Sequence, residues 1–139
     1  MILYIDTTNG EDIKLALGQD DVLIAKKIIK AKYKQSEKLL AEIDKLISKV
    51  QGTVDLSKLK SIVVVNGPGP FTATRIGVAT ANALSYSLKI PIASIKNTDF
   101  NNIEDLIKKG NKLKNKKNNI IEPFYSQEPN ITTPLDMKP

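Results

Sequence analysis

The stretch that most constrains the fold is residues 66–77, which read Asn-Gly-Pro-Gly-Pro-Phe-Thr-Ala-Thr-Arg-Ile-Gly. It follows residues 61–65, a short β-branched run typical of a buried strand. It leads into residues 76–88, which carry no charged side chain and many small ones. Glycine permits unusual backbone angles, while proline fixes φ and suits the first turn of a helix. The order is therefore a buried strand, a rigid turn and a buried helix.

The turn itself has two interpretations. No lysine lies between Lys60 and Lys89, so the turn is not a P-loop, and Thr72 stands where a dinucleotide fingerprint needs its third glycine. A helix N-terminus nevertheless presents N–H groups that can bind an anion. An anion-binding turn is one hypothesis, and a purely structural connection is the other.

Arg75 stands out because it is the only arginine among 21 basic residues. An arginine at the start of the least charged helix indicates that a planar guanidinium group with several N–H donors is needed there. The hypothesis is an ion pair or a carbonyl clamp, inside the fold or across an interface. The alternative is that the position reflects chance alone.

Composition excludes several kinds of chemistry. A length of 139 residues fits one domain, and the chain has neither cysteine nor histidine. Disulfides, thiolate nucleophiles, classical catalytic triads and histidine-based zinc sites are therefore excluded, and we expect no cofactor. The net charge of +6 permits contact with nucleic acid or an acidic partner but does not specify it.

No apolar run approaches the ~20 residues that span a bilayer, and the start of the chain does not resemble a signal peptide. We therefore expect a soluble cytoplasmic protein without membrane contact.

Apolar periodicity and turn residues predict a mixed α/β arrangement. The predicted strands are residues 2–5, 13–17, 22–31, 62–65 and 90–95. The predicted helices are residues 35–49, 71–88 and 100–109. The first strand is expected to be buried on both faces and paired with the second in a hairpin, and the third is expected near a sheet edge. Beyond Lys109 follow a basic polar run, the apolar residues 120–125, and a proline-containing tail from Ser126 that is expected to be extended or disordered.

The two longer helices are expected on one face of the sheet. The apolar stripe of the first helix consists of Leu39, Leu40, Ile43, Leu46, Ile47 and Val50. In the second helix, the side expected to face the sheet consists of Ile76, Ala79, Ala83 and Leu84. Its opposite side consists of Gly77, Thr80, Ala81 and Ser85. A solvent-exposed helix face normally carries charges, so an uncharged face of small residues predicts that a helix of another protein docks there. The alternative is that the first helix covers this face.

These residues resemble the TsaB family. The resemblance rests on the opening residues 5–8, Ile-Asp-Thr-Thr, on residues 67–77 and on the small-residue helix that follows. It implies an actin/hexokinase-like first lobe with a five-stranded mixed sheet over residues 1–98. Residues 99–119 would form a short helix and a basic linker, and residues 120–139 a C-terminal tail. The chain departs from the family pattern at Pro70 and Ala73, and it is expected to be a short form that lacks most of the family's second lobe.

The resemblance implies a non-catalytic subunit of the machinery that makes threonylcarbamoyladenosine in tRNA. Such a subunit docks on the catalytic subunit TsaD and activates it, and TsaE, a second copy of the chain and an indirect tRNA contact are further expected partners. The residues expected at the interface are Leu39, Ile43, Arg75, Ile76, Ala79, Thr80 and Ala83.

Two other functions stay open. A small actin-like ATPase would use Asp6 for a metal ion and the glycine–proline turn for phosphate, although an aspartate in an ordinary turn is the alternative. The residues of this anion site would be Asp6, Thr7, Thr8, Gly67, Gly69 and Thr72. The six lysines of residues 108–117 would instead bind tRNA phosphates, unless they form a solvated linker.

Overall fold

A computed structural model describes residues 1–53, 55–114 and 120–126 and contains a five-stranded mixed sheet. The strands are β1 (Ile2–Asp6), β2 (Asp12–Gln19), β3 (Val22–Lys30), β4 (Ser61–Val65) and β5 (Ile92–Ile95). Their order across the sheet is β3-β2-β1-β4-β5. The first three strands pair antiparallel through short turns, whereas β1–β4 and β4–β5 are parallel. The predicted hairpin and the predicted edge position of the third strand are confirmed.

Three helices cover the sheet. They are α1 (Gln35–Gln51), α2 (Phe71–Leu88) and α3 (Ile103–Leu113), and a short 3-10 helix (Leu56–Lys58) leads into β4. The parallel pairs require crossover connections, and α1 and α2 provide them. Both helices pack on the same face of the sheet, as predicted, and α3 packs on the other face.

The central strand β1 supplies both cores because successive side chains of a strand point to opposite faces. Leu3 and Ile5 belong to the core under α1 and α2, while Ile2 and Tyr4 belong to the core under α3. The Tyr4 hydroxyl donates to the backbone oxygen of Ile107 at 3.1 Å, which ties α3 to the sheet. The expectation that the first strand is buried on both faces is confirmed.

Several predicted boundaries were wrong. The last helix runs from Ile103 to Leu113 rather than from 100 to 109, since Asn102 caps its start and Gly110 lies against the Tyr4 ring. The last strand begins at Ile92 rather than Ile90, because Ile90 exchanges two hydrogen bonds with Ser85 at the end of α2. The first helix extends to Gln51, and Gly52 ends it with a positive φ of 79°.

The basic run divides at the end of α3. Lys108, Lys109 and Lys112 lie on that helix, and Lys109 pairs with Asp105 at 3.3 Å. Residues 115–117 and the tail beyond Ser126 lie outside the described residues. A tRNA contact of this run stays a prediction.

Candidate protein-interaction surface

One side of α2 is exposed along the whole helix. We call Thr72, Arg75, Ala79, Ala83 and Tyr86 the outer stripe; all of them are exposed, and Tyr86 is 88% exposed. The helix contains no acidic residue, and Arg75 is its one charged side chain. The result is a helix surface that presents a single positive charge among small and hydroxyl-bearing side chains.

The predicted orientation of α2 was wrong. Gly77 and Ala81 are buried against the sheet, whereas Ala79 and Ala83, which were expected there, are exposed. The reason is a close approach between α2 and the end of β1: the Thr7 hydroxyl donates to the backbone oxygen of Ala73 at 2.5 Å. A side chain at Gly77 would meet that hydroxyl. The small residues therefore let α2 approach its own sheet.

The flanks of the outer stripe are half-buried. Ile76 and Thr80 have intermediate exposure, so of the predicted interface residues on α2 only Arg75, Ala79 and Ala83 are fully on the surface. Ile76 packs against the core beneath α1 and α2.

Two predicted interface residues on α1 were wrong. Leu39 and Ile43 are each 1% exposed and lie in the core, because the apolar stripe of an amphipathic helix is the side that packs onto the sheet. Leu40, which the pattern places in the same stripe, is 56% exposed. It is the large apolar side chain that α1 presents to solvent.

Two lysines contact the Glu42 carboxylate of α1. Lys27 of β3 contacts Glu42 of α1 at 2.6 Å, and Lys45 contacts the same carboxylate at 3.4 Å. The hydrogen bond from Lys27 lowers the pKa of Glu42, against the opposing effect of burial. The pair links the edge strand to the helix.

The predicted anion-binding residues other than Thr72 lie in two neighbouring turns, and the hydroxyl groups of Thr7 and Thr8 have partners within the chain. The backbone N–H and the hydroxyl of Thr8 both donate to Asp6 Oδ1, at 2.9 and 2.6 Å. Asn97 Nδ2 donates to Thr8 Oγ1 at 3.1 Å and to the Pro68 oxygen at 2.6 Å, which joins the two turns. Thr72 lies apart on the outer stripe. The anion site stays a prediction, and no cluster of three potential metal ligands occurs within the described residues.

Residues 120–126, which we call the strap, lie across the glycine–proline turn. The Phe124 N–H donates to the Asn66 oxygen at 2.6 Å, and the Ser126 N–H donates to the Gly69 oxygen at 3.0 Å. A side chain at Gly67 would collide with the Phe124 carbonyl. Gly67, which the sequence analysis connected with an anion, therefore makes room for the backbone of the strap.

Asn82 holds the other end of the strap. Its Nδ2 donates to the Ile121 oxygen and its Oδ1 accepts from the Ile121 N–H, both at 2.9 Å. Sequence reasoning missed this role. The available signal was a single amide side chain inside a helix of small and apolar residues.

The strap also reaches the outer stripe through an aromatic contact. The rings of Tyr125 and Phe71 have centroids 4.6 Å apart, and the Arg75 guanidinium lies over the Phe71 ring at 5.9 Å. Three side chains from two distant parts of the sequence thus form one row beside the start of α2.

Comparison with known proteins supports the resemblance to the TsaB family. A family model for TsaD, tRNA N6-adenosine threonylcarbamoyltransferase, matches residues 29–115. The tRNA threonylcarbamoyladenosine biosynthesis protein TsaB of Bacillus subtilis is 37% identical over 99 residues, covering 70% of this chain and 42% of that protein. TsaB of Buchnera aphidicola from Acyrthosiphon pisum is 38% identical over 66 residues, covering 48% of this chain and 29% of that protein.

The fold has solved counterparts. YeaZ from Pseudomonas aeruginosa superposes with a TM-score of 0.63 at 23% identity, over 70% of this chain and 44% of that one. The architecture is an actin/hexokinase-like α/β lobe. The chain belongs to the family that the TsaD model describes and, within it, to the TsaB proteins. It spans less than half the length of the two TsaB relatives and of YeaZ. Within the described residues, none of the helices combines the length and apolar character needed to span a bilayer.

Proposed function

We propose that this chain is a non-catalytic subunit in the biosynthesis of threonylcarbamoyladenosine in tRNA, and that it docks on TsaD through the outer stripe and activates it. The observation that carries the proposal is an exposed helix face whose only charge is Arg75. The family membership and the names of the relatives supply the pathway.

The neighbouring helix provides an internal comparison. The exposed positions of α1 include Glu37, Asp44, Lys45 and Lys49, as expected of a helix that faces water. The exposed positions of α2 include two alanines one helical turn apart, at 79 and 83. Small side chains let a second helix approach closely, so this surface suits a helix of the partner better than it suits solvent.

A subunit role also fits the composition of the chain. It contains no histidine and no cysteine, so it cannot use the general base or nucleophile that these residues provide. A TsaD chain is the favoured partner because the resemblance to TsaB implies it, and the match to the TsaD family model is consistent with that partnership.

The test is to mix the purified chain with TsaD and to measure the complex by gel filtration with light scattering and by titration calorimetry. Ala79→Arg places a long charged side chain on the outer stripe. We expect it to lower the affinity by at least about tenfold while the thermal melt stays unchanged, since Ala79 is exposed. Formation of threonylcarbamoyladenosine by TsaD should fall in parallel.

Ile28→Arg is the matched control. Ile28 is 62% exposed and lines a cavity of about 260 Å³ with α3 on the other face of the sheet. The same added charge there should leave the affinity unchanged. The proposal would be wrong if the wild-type chain formed no complex at about micromolar concentration, or if both variants bound equally well.

A further inference from the structure

We propose that Tyr125 and Phe71 hold Arg75 in place as the anchor for a carboxylate of the partner, so that the strap shapes the docking surface. This inference rests on the proposed function, because it assumes that the outer stripe is covered by another protein. It adds the chemistry that the partner must present and assigns a role to a distant segment of the chain.

Arg75 lacks a counter-charge of its own. Within the described residues, no carboxylate lies within ion-pair distance of its guanidinium, and the side chain donates no hydrogen bond. The helix that carries it contains no acid. While Arg75 is exposed to water, its lack of a counter-charge costs no free energy, but covering an unpaired charge with protein is strongly unfavourable. A partner that buries the outer stripe must therefore bring an acceptor to Arg75.

The acceptor that best matches arginine is a carboxylate. The planar guanidinium presents parallel N–H donors that pair with both oxygens of an Asp or Glu side chain. Such a pair would also set the register of two docked helices, because the rest of the outer stripe carries no charge that could orient them.

The aromatic row restricts Arg75 before any partner arrives. The guanidinium lies 5.9 Å from the Phe71 ring centroid, a distance at which a cation is attracted to the face of an aromatic ring. Phe71 is in turn packed against Tyr125, with ring centroids 4.6 Å apart and the ring planes inclined by 43°. A side chain that is already ordered loses less entropy on binding, so the row increases the affinity for a partner.

Tyr125 is positioned by the backbone of the strap. It forms an isolated parallel bridge with Gly69, and the N–H groups of its neighbours Phe124 and Ser126 donate to Asn66 and Gly69. Replacing the Tyr125 side chain therefore removes the ring and leaves these backbone bonds intact. The strap and the anchor can be separated by experiment.

The first measurement needs no partner. We expect Tyr125→Ala to increase the fast motion of the Arg75 Nε–H group in ¹⁵N relaxation experiments on the isolated chain, and Tyr125→Phe to restore the wild-type value. Phe124→Ala is the control, because Phe124 is 46% exposed and contacts Lys96 rather than Arg75. Unchanged motion in Tyr125→Ala would refute the role of the strap.

The second measurement is the affinity for TsaD at several salt concentrations. We expect Arg75→Gln to weaken binding by at least about tenfold and to reduce its salt dependence, with Arg75→Lys in between. Tyr125→Ala should weaken binding by a smaller factor, and Phe124→Ala should not. If the wild-type chain binds TsaD and Arg75→Gln binds equally well, the anchor is refuted while the proposed function survives. If the wild-type chain does not bind TsaD, the proposed function and the anchor both fail.

Discussion

At the scale of single residues, the glycines of the turn and of α2 are explained by close approaches within the chain. An added Cβ at Gly69 would lie 2.5 Å from Thr74 Oγ1 and 2.6 Å from the Thr8 oxygen. At Gly77 it would meet the Thr7 hydroxyl. These distances are shorter than ordinary contacts between non-bonded atoms, so these positions need the smallest residue for steric reasons.

The Gly77→Ala variant should show an inverted effect. In a helix interior, alanine normally stabilises relative to glycine by about 0.5–1 kcal/mol. At this position we expect a net destabilisation of about 1 kcal/mol, because the added methyl group overpacks the contact with Thr7. Urea unfolding of the single variants and of the double variant with Thr7→Ala measures the effect. In the Thr7→Ala background the cost of Gly77→Ala should shrink, and purely additive effects would contradict this explanation.

At the scale of elements, the strap is joined to α2 and to the glycine–proline turn by side-chain amides. Asn82 binds both backbone groups of Ile121, and Asn66 Nδ2 donates to the Glu122 oxygen at 2.9 Å. Ile121 is 6% exposed and belongs to the core beneath α1 and α2. A short segment with little secondary structure of its own is thus integrated into the fold.

Removing the Asn82 amide should loosen the strap. We expect Asn82→Ala to lower the free energy of unfolding by about 1–3 kcal/mol, because two partly buried backbone groups of Ile121 lose their partner. Hydrogen exchange at the Ile121 amide should accelerate strongly in this variant. Asn82→Asp keeps an acceptor for that N–H and should exchange at an intermediate rate. Asn111→Ala serves as the control, since Asn111 donates to Asp21 and lies on α3, which packs on the other face of the sheet. Equal exchange in all variants would be evidence against this role of Asn82.

At the scale of the whole molecule, one sheet separates two hydrophobic cores, and an ion pair joins this sheet to a helix that covers it. The Lys27–Glu42 pair connects the edge strand to α1 at the border of the larger core. Because Lys27 holds the pKa of Glu42 below its ordinary value of 4.5, the folded state binds the Glu42 proton less readily than the unfolded chain does. The resulting stabilisation is present above that ordinary value and is lost as the pH falls through the lowered pKa.

Stability should therefore decline in acid partly through Glu42. We expect Lys27→Met to make this decline shallower between about pH 6 and pH 3, because the pKa of Glu42 then returns toward its ordinary value. Urea unfolding across a series of pH values measures the slope. Lys30→Met is the control, since the Lys30 side chain forms no ion pair among the described residues. Parallel pH profiles for the two variants would show that the pair does not contribute.

Local patterns were sufficient for most of the elements and insufficient for their orientation. The bounds of α2, from Phe71 to Leu88, were predicted correctly because proline sets its start and a change in residue type marks its end. Its predicted rotation about its own axis was wrong, since small residues lie on both of its sides and the close contact with Thr7 requires the side that carries Gly77 to face the sheet. The end of α3 was missed because Gly110 packs against Tyr4, far away in the sequence.

The sequence by itself determined the strands and the helices, since these follow from the periodicity and spacing of neighbouring residues. The mixed character of the sheet and the family were implied by the resemblance of residues 5–8 and 67–77 to TsaB. Tertiary structure alone decided which alanines face solvent, why Gly67 must lack a side chain, and that Tyr125 lies beside Phe71 and Arg75. These properties depend on contacts between residues that are distant along the chain, and such contacts arise only when the elements pack together.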